Sequence, residues 1–266
     1  MRQLFIIIFI AFSLSVPAHA VAGEDLQIIK DKPITGRMYE RALQFFTEKV
    51  PEAFMKQLTQ SQKYIDVITE IFSDKDIPLD LAYLPLIESG FSPMSVGRGD
   101  AVGLWQLVKG TARRYGLRVD RYVDERKDPV KSTYAAANYL KDLYQMFGAW
   151  DVALAAYNAG DGKVKRWLRK YNEVRLPGIV NSYLAKFMAA SDVAQDPQSY
   201  GLASSEKMTN DADEFDYTEL ITDKPMSLST IASMYNTTVR IIRELNPALL
   251  TNTTPPYEYV IRLPKP

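Results

Sequence analysis

The chain contains no cysteine, and its single histidine, His19, lies in a hydrophobic leader. Without either residue in the mature protein there is no Ser-His-Asp triad, no thiolate nucleophile and no ordinary zinc site. Excess charge of one sign is missing as well. The 32 Lys and Arg residues balance 32 Asp and Glu residues, so nothing points to a nucleic-acid surface. No cofactor, metal or nucleic-acid partner is expected, and nothing calls for more than a monomer. Carboxylates are what remains to carry protons.

Met1 to Ala20 reads as a secretory signal. Arg2 provides the positive start, Leu4 to Leu14 is nearly all apolar, and Ala18-His-Ala20 satisfies the small-x-small rule for cleavage. The run is short for a membrane span. Cleavage after Ala20 predicts a soluble protein exported to the periplasm or cell envelope, folded without disulfides. About 246 residues then suffice for one large domain and one small one.

From 21 to 200 the pattern predicts an all-α domain. Tyr39, Ala42, Leu43 and Phe46 recur at helical spacing, as do Phe54, Leu58, Tyr64, Val67, Ile68 and Ile71, which reads as two entry helices divided near Pro51. Ser132 to Phe147 carries Ala135, Ala136 and Ala137, a face suited to close helix packing. Another helix runs to Tyr157 and ends at Asn158-Ala-Gly160.

One segment carries chemistry. Leu84-Pro-Leu-Ile-Glu-Ser-Gly-Phe91 sets the carboxylate of Glu88 among apolar neighbours. Packing that segment strips water from the acid, raises its pKa and lets it hold a proton near neutral pH. Pro85 reads as an interruption and Gly90 as an end, which places Glu88 in a last helical turn. Residues 92–101, with Pro93, Gly97 and Gly99, read as a loop.

Glu88-Ser-Gly-Phe91, Gly103-Leu-Trp-Gln106 and Ala156-Tyr-Asn-Ala-Gly160, in that order and near these spacings, resemble the three motif blocks of the soluble lytic transglycosylase (SLT) family. Within it the chain is most similar to the membrane-bound lytic murein transglycosylase D group, since Trp105, Asp124-Glu-Arg126 and a C-terminal module recur there. The resemblance implies a lysozyme-like all-α catalytic domain that binds peptidoglycan glycan strands. It makes Glu88 the single acid/base, puts Gln106 and Trp105 in the glycan cleft, and lines the sugar sites with Tyr157 and Asn158. Family members cut the bond between N-acetylmuramic acid and N-acetylglucosamine without water, leaving a 1,6-anhydro end. Read by themselves, Trp105 and Tyr157 can equally be core residues, and Asp124-Glu-Arg126 an ion-pair or capping cluster.

The chain departs from the family in one loop. Where the common pattern has a serine nine residues after the catalytic Glu and a glycine three later, this chain has Gly97 and Asp100. The family's serine hydrogen-bonds the catalytic carboxyl, so another group must orient Glu88; Ser89 and Ser95 are the expected candidates. Asp100 as a second carboxylate keeps open a lysozyme-type hydrolase that activates water. A degenerate cleft that holds glycan without cutting it is the third reading. Intact Glu88, Gln106, Tyr157 and Asn158 favour catalysis.

Residues 201–214 lack apolar periodicity and read as a linker. From 215 to 266 a strand, two short helices and a closing strand follow, a βααβ order that with Leu245-Asn-Pro247 is similar to a LysM module. The usual Gly-Asp-Thr entry is replaced near Lys224-Pro-Met226, which leaves glycan binding by this module open.

Overall fold

The computed structural model describes residues 36–171, 178–202 and 217–265. The leader at 1–20 and residues 203–214 of the expected linker lie outside them. Leu202 is buried in the helical core, so packing of that domain extends past residue 200.

Helix α1 (Arg37–Gln44) runs into a π turn (Phe45–Lys49), and Pro51 opens α2 (Pro51–Ser61), where its fixed φ costs nothing. The expected second helix is in fact two. The Ser61 hydroxyl donates to the Leu58 carbonyl at 2.7 Å, a back-bond that competes with the helical ladder, and α3 (Ile65–Ser73) begins anew after Tyr64.

A 3₁₀ turn (Leu79–Tyr83) leads to α4 (Leu84–Glu88). Pro85 does not interrupt this element; it sits in the first turn of α4, where no amide partner is lost. Gly90 and Phe91 both take positive φ, 63° and 59°, and reverse the chain directly after Glu88. A two-residue hairpin follows, β1 (Ala101–Val102) antiparallel to β2 (Leu107–Val108), joined by Gly103 to Gln106. The sequence pattern predicts a loop over 92–101 and no strand after it, so the hairpin is new.

Next come α5 (Lys109–Arg114), α6 (Pro129–Phe147), α7 (Trp150–Ala159), α8 (Asp161–Tyr171) and α9 (Gly178–Gln195). The Asp128 carboxylate caps α6 by accepting from the Lys131 amide at 2.9 Å. Ala135, Ala136 and Ala137 on α6 and Ala153, Ala155 and Ala156 on α7 are all buried, and such small residues let α6 and α7 pack closely. Helix α9 packs across α1, α4 and α7, which carries residues of the late chain to the end of α4.

The C-terminal module pairs β3 (Tyr217–Thr222) antiparallel with β4 (Tyr259–Pro264) and adds α10 (Leu228–Met234) and α11 (Val239–Leu245). This is the expected βααβ order. Its core of Leu228, Ile231, Ile242, Ile261 and Leu263 includes one residue of the helical domain, Val123. The two parts are docked as well as tethered. Asp124 N–H donates to the Ala248 carbonyl and Leu250 N–H to the Tyr122 carbonyl, both at 2.8 Å. Arg262 pairs with Asp128 at 2.8 Å with both side chains largely buried, and the Tyr257 hydroxyl donates to Asp120 at 2.6 Å.

Candidate active site

Glu88 is the last residue of α4, and its carboxyl is half-buried. The Tyr183 hydroxyl, on α9, donates to its Oε1 at 2.5 Å. Burial pushes the Glu88 pKa above the ordinary carboxylate value; the Tyr183 hydrogen bond and the charge of Lys186, one turn along the same helix, oppose that rise without cancelling it. Burial and the facing Glu88 charge drive the Tyr183 phenol well above its usual pKa, so it stays a donor at neutral pH. Burial and then the charge of Glu88 raise the Tyr157 phenol as well.

Tyr157 is fixed by its own hydroxyl, which donates to the Trp105 carbonyl at 2.6 Å, while its ring packs on Tyr139 with centroids 5.3 Å apart. Asn158 beside it is exposed on the last turn of α7, which ends at Gly160 with φ 89°. Trp105 takes the core reading. Its indole is fully buried against Phe72 and donates to Thr133 at 2.9 Å, so it offers no face to a sugar.

Neither expected serine holds Glu88. The Ser89 hydroxyl spans to the Leu104 carbonyl at 2.8 Å, and Ser95 contributes its carbonyl, which accepts from the Gly103 amide and from Gln106 Nε2. The donor to the carboxyl comes from 95 residues away. No local pattern around Tyr183 announces it, since what matters is the packing of α9 on α4.

Gly97 has a different meaning from a lost serine. Gln106, at φ 49°, folds its amide back onto the Gly103 carbonyl at 2.9 Å. Its Oε1 lies 2.1 Å from where a Cβ on residue 97 would stand. The missing side chain is room for Gln106. Gly103 is held more tightly: at φ 85° its Cβ position is 1.9 Å from the Arg126 carbonyl. Only glycine fits there.

Asp100 is exposed, at positive φ, on the outer end of the hairpin, and Arg126 engages both its carbonyl, at 2.5 Å, and its carboxylate, at 3.2 Å. Asp124 caps the following turn and chelates the Arg126 guanidinium through both carboxylate oxygens, as the ion-pair reading of this cluster anticipates. Among the described residues no group of three His, Cys, Asp or Glu side chains is gathered that could hold a metal ion, and no helix is long and apolar enough to cross a membrane.

Residues 73–175 match the transglycosylase SLT domain family, and residues 217–266 match the LysM-like domain of lytic transglycosylase MltD. Membrane-bound lytic murein transglycosylase D of Escherichia coli K12 is 27% identical over 246 residues, 88% of this chain and 52% of that protein. A putative tributyltin chloride resistance protein of Alteromonas sp. strain M-1 is 38% identical over 101 residues, 38% of this chain and 48% of the relative. The chain thus spans about half the length of the curated relatives it matches. Among solved structures, the 70 kDa soluble lytic transglycosylase of Escherichia coli aligns with 68% of this chain and 34% of its own, at 20% identity and a TM-score of 0.44. The motif blocks around Glu88, Gln106 and Tyr157 all fall within the first matched region, and the docked βααβ module fills the second: the chain carries an SLT domain followed by an MltD-type LysM-like domain.

Proposed function

We propose that the chain is a peptidoglycan lytic transglycosylase that cleaves the β-1,4 bond between N-acetylmuramic acid and N-acetylglucosamine with Glu88 as its single acid/base. The observation that carries this is a half-buried carboxyl at the end of α4 with its pKa raised by burial, held by one phenolic hydroxyl. Such an acid keeps its proton closer to neutral pH than a solvated glutamate does, as a general acid requires.

Glu88 gives its proton to the glycosidic oxygen as the C1–O bond breaks. The substrate's own acetamido oxygen stabilises the cationic carbon. The C6 hydroxyl then bonds to C1, and the Glu88 carboxylate recovers the proton from that hydroxyl, so the ring closes to a 1,6-anhydro end with no water consumed. Tyr183 stabilises the carboxylate between the two steps. Gln106, Asn158 and Tyr157 line the strand, Ser89 and Ser95 hold the loop around it, and Trp105 supports the cleft from below. The leader at Met1 to Ala20 would deliver the enzyme to the periplasm, where its substrate lies.

A hydrolase using Asp100 is disfavoured because that carboxylate already faces the Arg126 guanidinium. The test is the mass of fragments released from purified sacculi. Anhydro-ended fragments are expected; fragments one water heavier, with free reducing ends, would replace this mechanism by hydrolysis.

A further inference from the structure

We infer that the C-terminal module braces the active-site hairpin, with Arg126 as the positioning residue that transmits its docking. The inference about catalysis rests on the Glu88 reading above; the mechanical part rests on geometry alone.

The path is continuous and short. On the module, the Ala248 carbonyl accepts from Asp124 N–H, the Tyr122 carbonyl accepts from Leu250 N–H, and Val123 between them is buried among Leu228, Ile231 and Ile261. This fixes the backbone of residues 122–124 as an added edge of the module. The Asp124 carboxylate then takes Arg126 Nε at 2.9 Å and NH2 at 2.8 Å. The third nitrogen, NH1, donates to the carbonyls of Asp100 at 2.5 Å and Leu107 at 3.2 Å. Those two carbonyls stand immediately before β1 and in β2, so one buried guanidinium clamps both sides of the hairpin. A rigid planar fork is suited to this, and an ammonium is not.

The Arg126 backbone completes the clamp, because its carbonyl rests against Gly103 where a side chain would stand. Within the hairpin, Leu104 accepts from Ser89, directly after Glu88, and Trp105 accepts from Tyr157. Module, segment 122–124, Arg126, hairpin and the residues flanking the catalytic acid thus form one chain of hydrogen bonds. The side-chain links at Arg126, Ser89 and Tyr157 are buried or half-buried, where such bonds hold their geometry.

The interface can be loosened from the module side without touching the site. Arg262→Met with Tyr257→Phe removes the pairing to Asp128 and the bond to Asp120. Val123→Asp places a charge in the module core from the other side. Hydrogen exchange on the full-length variants is expected to show faster exchange, by tenfold or more, at the amides of Gly97, Gly103 and Gln106, while α6 keeps its protection. Glycan cleavage should lose kcat about tenfold with KM within a factor of two. Arg126→Lys, which keeps the charge and loses the fork, should raise hairpin exchange and reduce kcat in the same way. Hairpin protection retained in all three variants would overturn the brace and leave the module a passive neighbour. Wild-type protein inactive on sacculi, with hairpin exchange still coupled to the module, would refute the Glu88 reading and leave the brace standing.

Discussion

Tyr183 and Glu88 stand 95 residues apart in the chain, yet the phenol of one donates to the carboxyl of the other at 2.5 Å. The bond favours the carboxylate, against a burial effect that favours the acid. The Glu88 pKa is therefore set by burial at the end of α4, which raises it, and by two groups of α9, Tyr183 and Lys186, which oppose that rise.

Tyr183→Phe should raise the Glu88 pKa further, since it removes a group that stabilises the charged form and leaves burial unopposed by it. The alkaline limb of the pH–rate profile should move to higher pH. Cleavage at neutral pH should fall roughly 10- to 100-fold, because a hydrogen bond to a charged group contributes about 1.5–3 kcal/mol and the carboxylate between the two steps loses it. An unmoved alkaline limb would show that Tyr183 does not act on the titrating group.

Glu88→Gln should abolish cleavage and retain the fold and glycan binding. Its effect on stability should depend on pH. A carboxyl whose native pKa is raised contributes stability below its unfolded value, and that contribution is lost as pH rises through the native one. The variant should therefore melt above wild type at pH 7–8, with the gap closing by pH 4. Equal melting differences at both pH values would mean that the carboxyl is not strained by burial.

Two glycines should respond differently to an added side chain. Gly97→Ser meets only the tip of Gln106, which can swing away at the loss of its hydrogen bonds to Gly103 and Ser95, about 1–2 kcal/mol of stability. Gly103→Ala meets backbone at 1.9 Å at a φ unfavourable to it, and should cost about 3 kcal/mol or more. Denaturant titration of both variants distinguishes them; a reversed order would contradict the packing of Arg126 on the hairpin.

Asp100→Asn should change the rate by less than about tenfold, roughly 1.4 kcal/mol of barrier, and leave the fragments anhydro-ended. If the carboxylate positioned water, the same variant would cost about 10² or more. Mass spectrometry on fresh digests reads the product, and initial rates read the cost.

What the sequence revealed was local. The end of α4 follows from Gly90, the end of α7 from Gly160, and the raised Glu88 pKa from its apolar neighbours, because each depends on residues within a turn or two. Tyr183 stayed hidden for the opposite reason: its role is created by α9 crossing α4. Gly97 was visible but read as a loss, since only the folded loop shows that Gln106 occupies the space. Trp105 could not be divided between core and cleft until its burial was known. Val123 carries no mark either, standing between Tyr122 and Asp124 in a segment that reads as belonging to the helical domain alone.

That shared valine changes what counts as a portable unit. A small domain buries a limited share of its surface and has little apolar area to spare; here part of that area is lent by residue 123 of its neighbour. Residues 217–266, moved alone onto another protein, would arrive with a gap in their core and unpaired backbone groups at Ala248 and Leu250, where segment 122–124 had been. Inheritance or engineering that keeps this module intact must carry the Asp120 to Asp128 segment with it, so the boundary drawn by sequence similarity is not the boundary at which the molecule can be cut and rejoined.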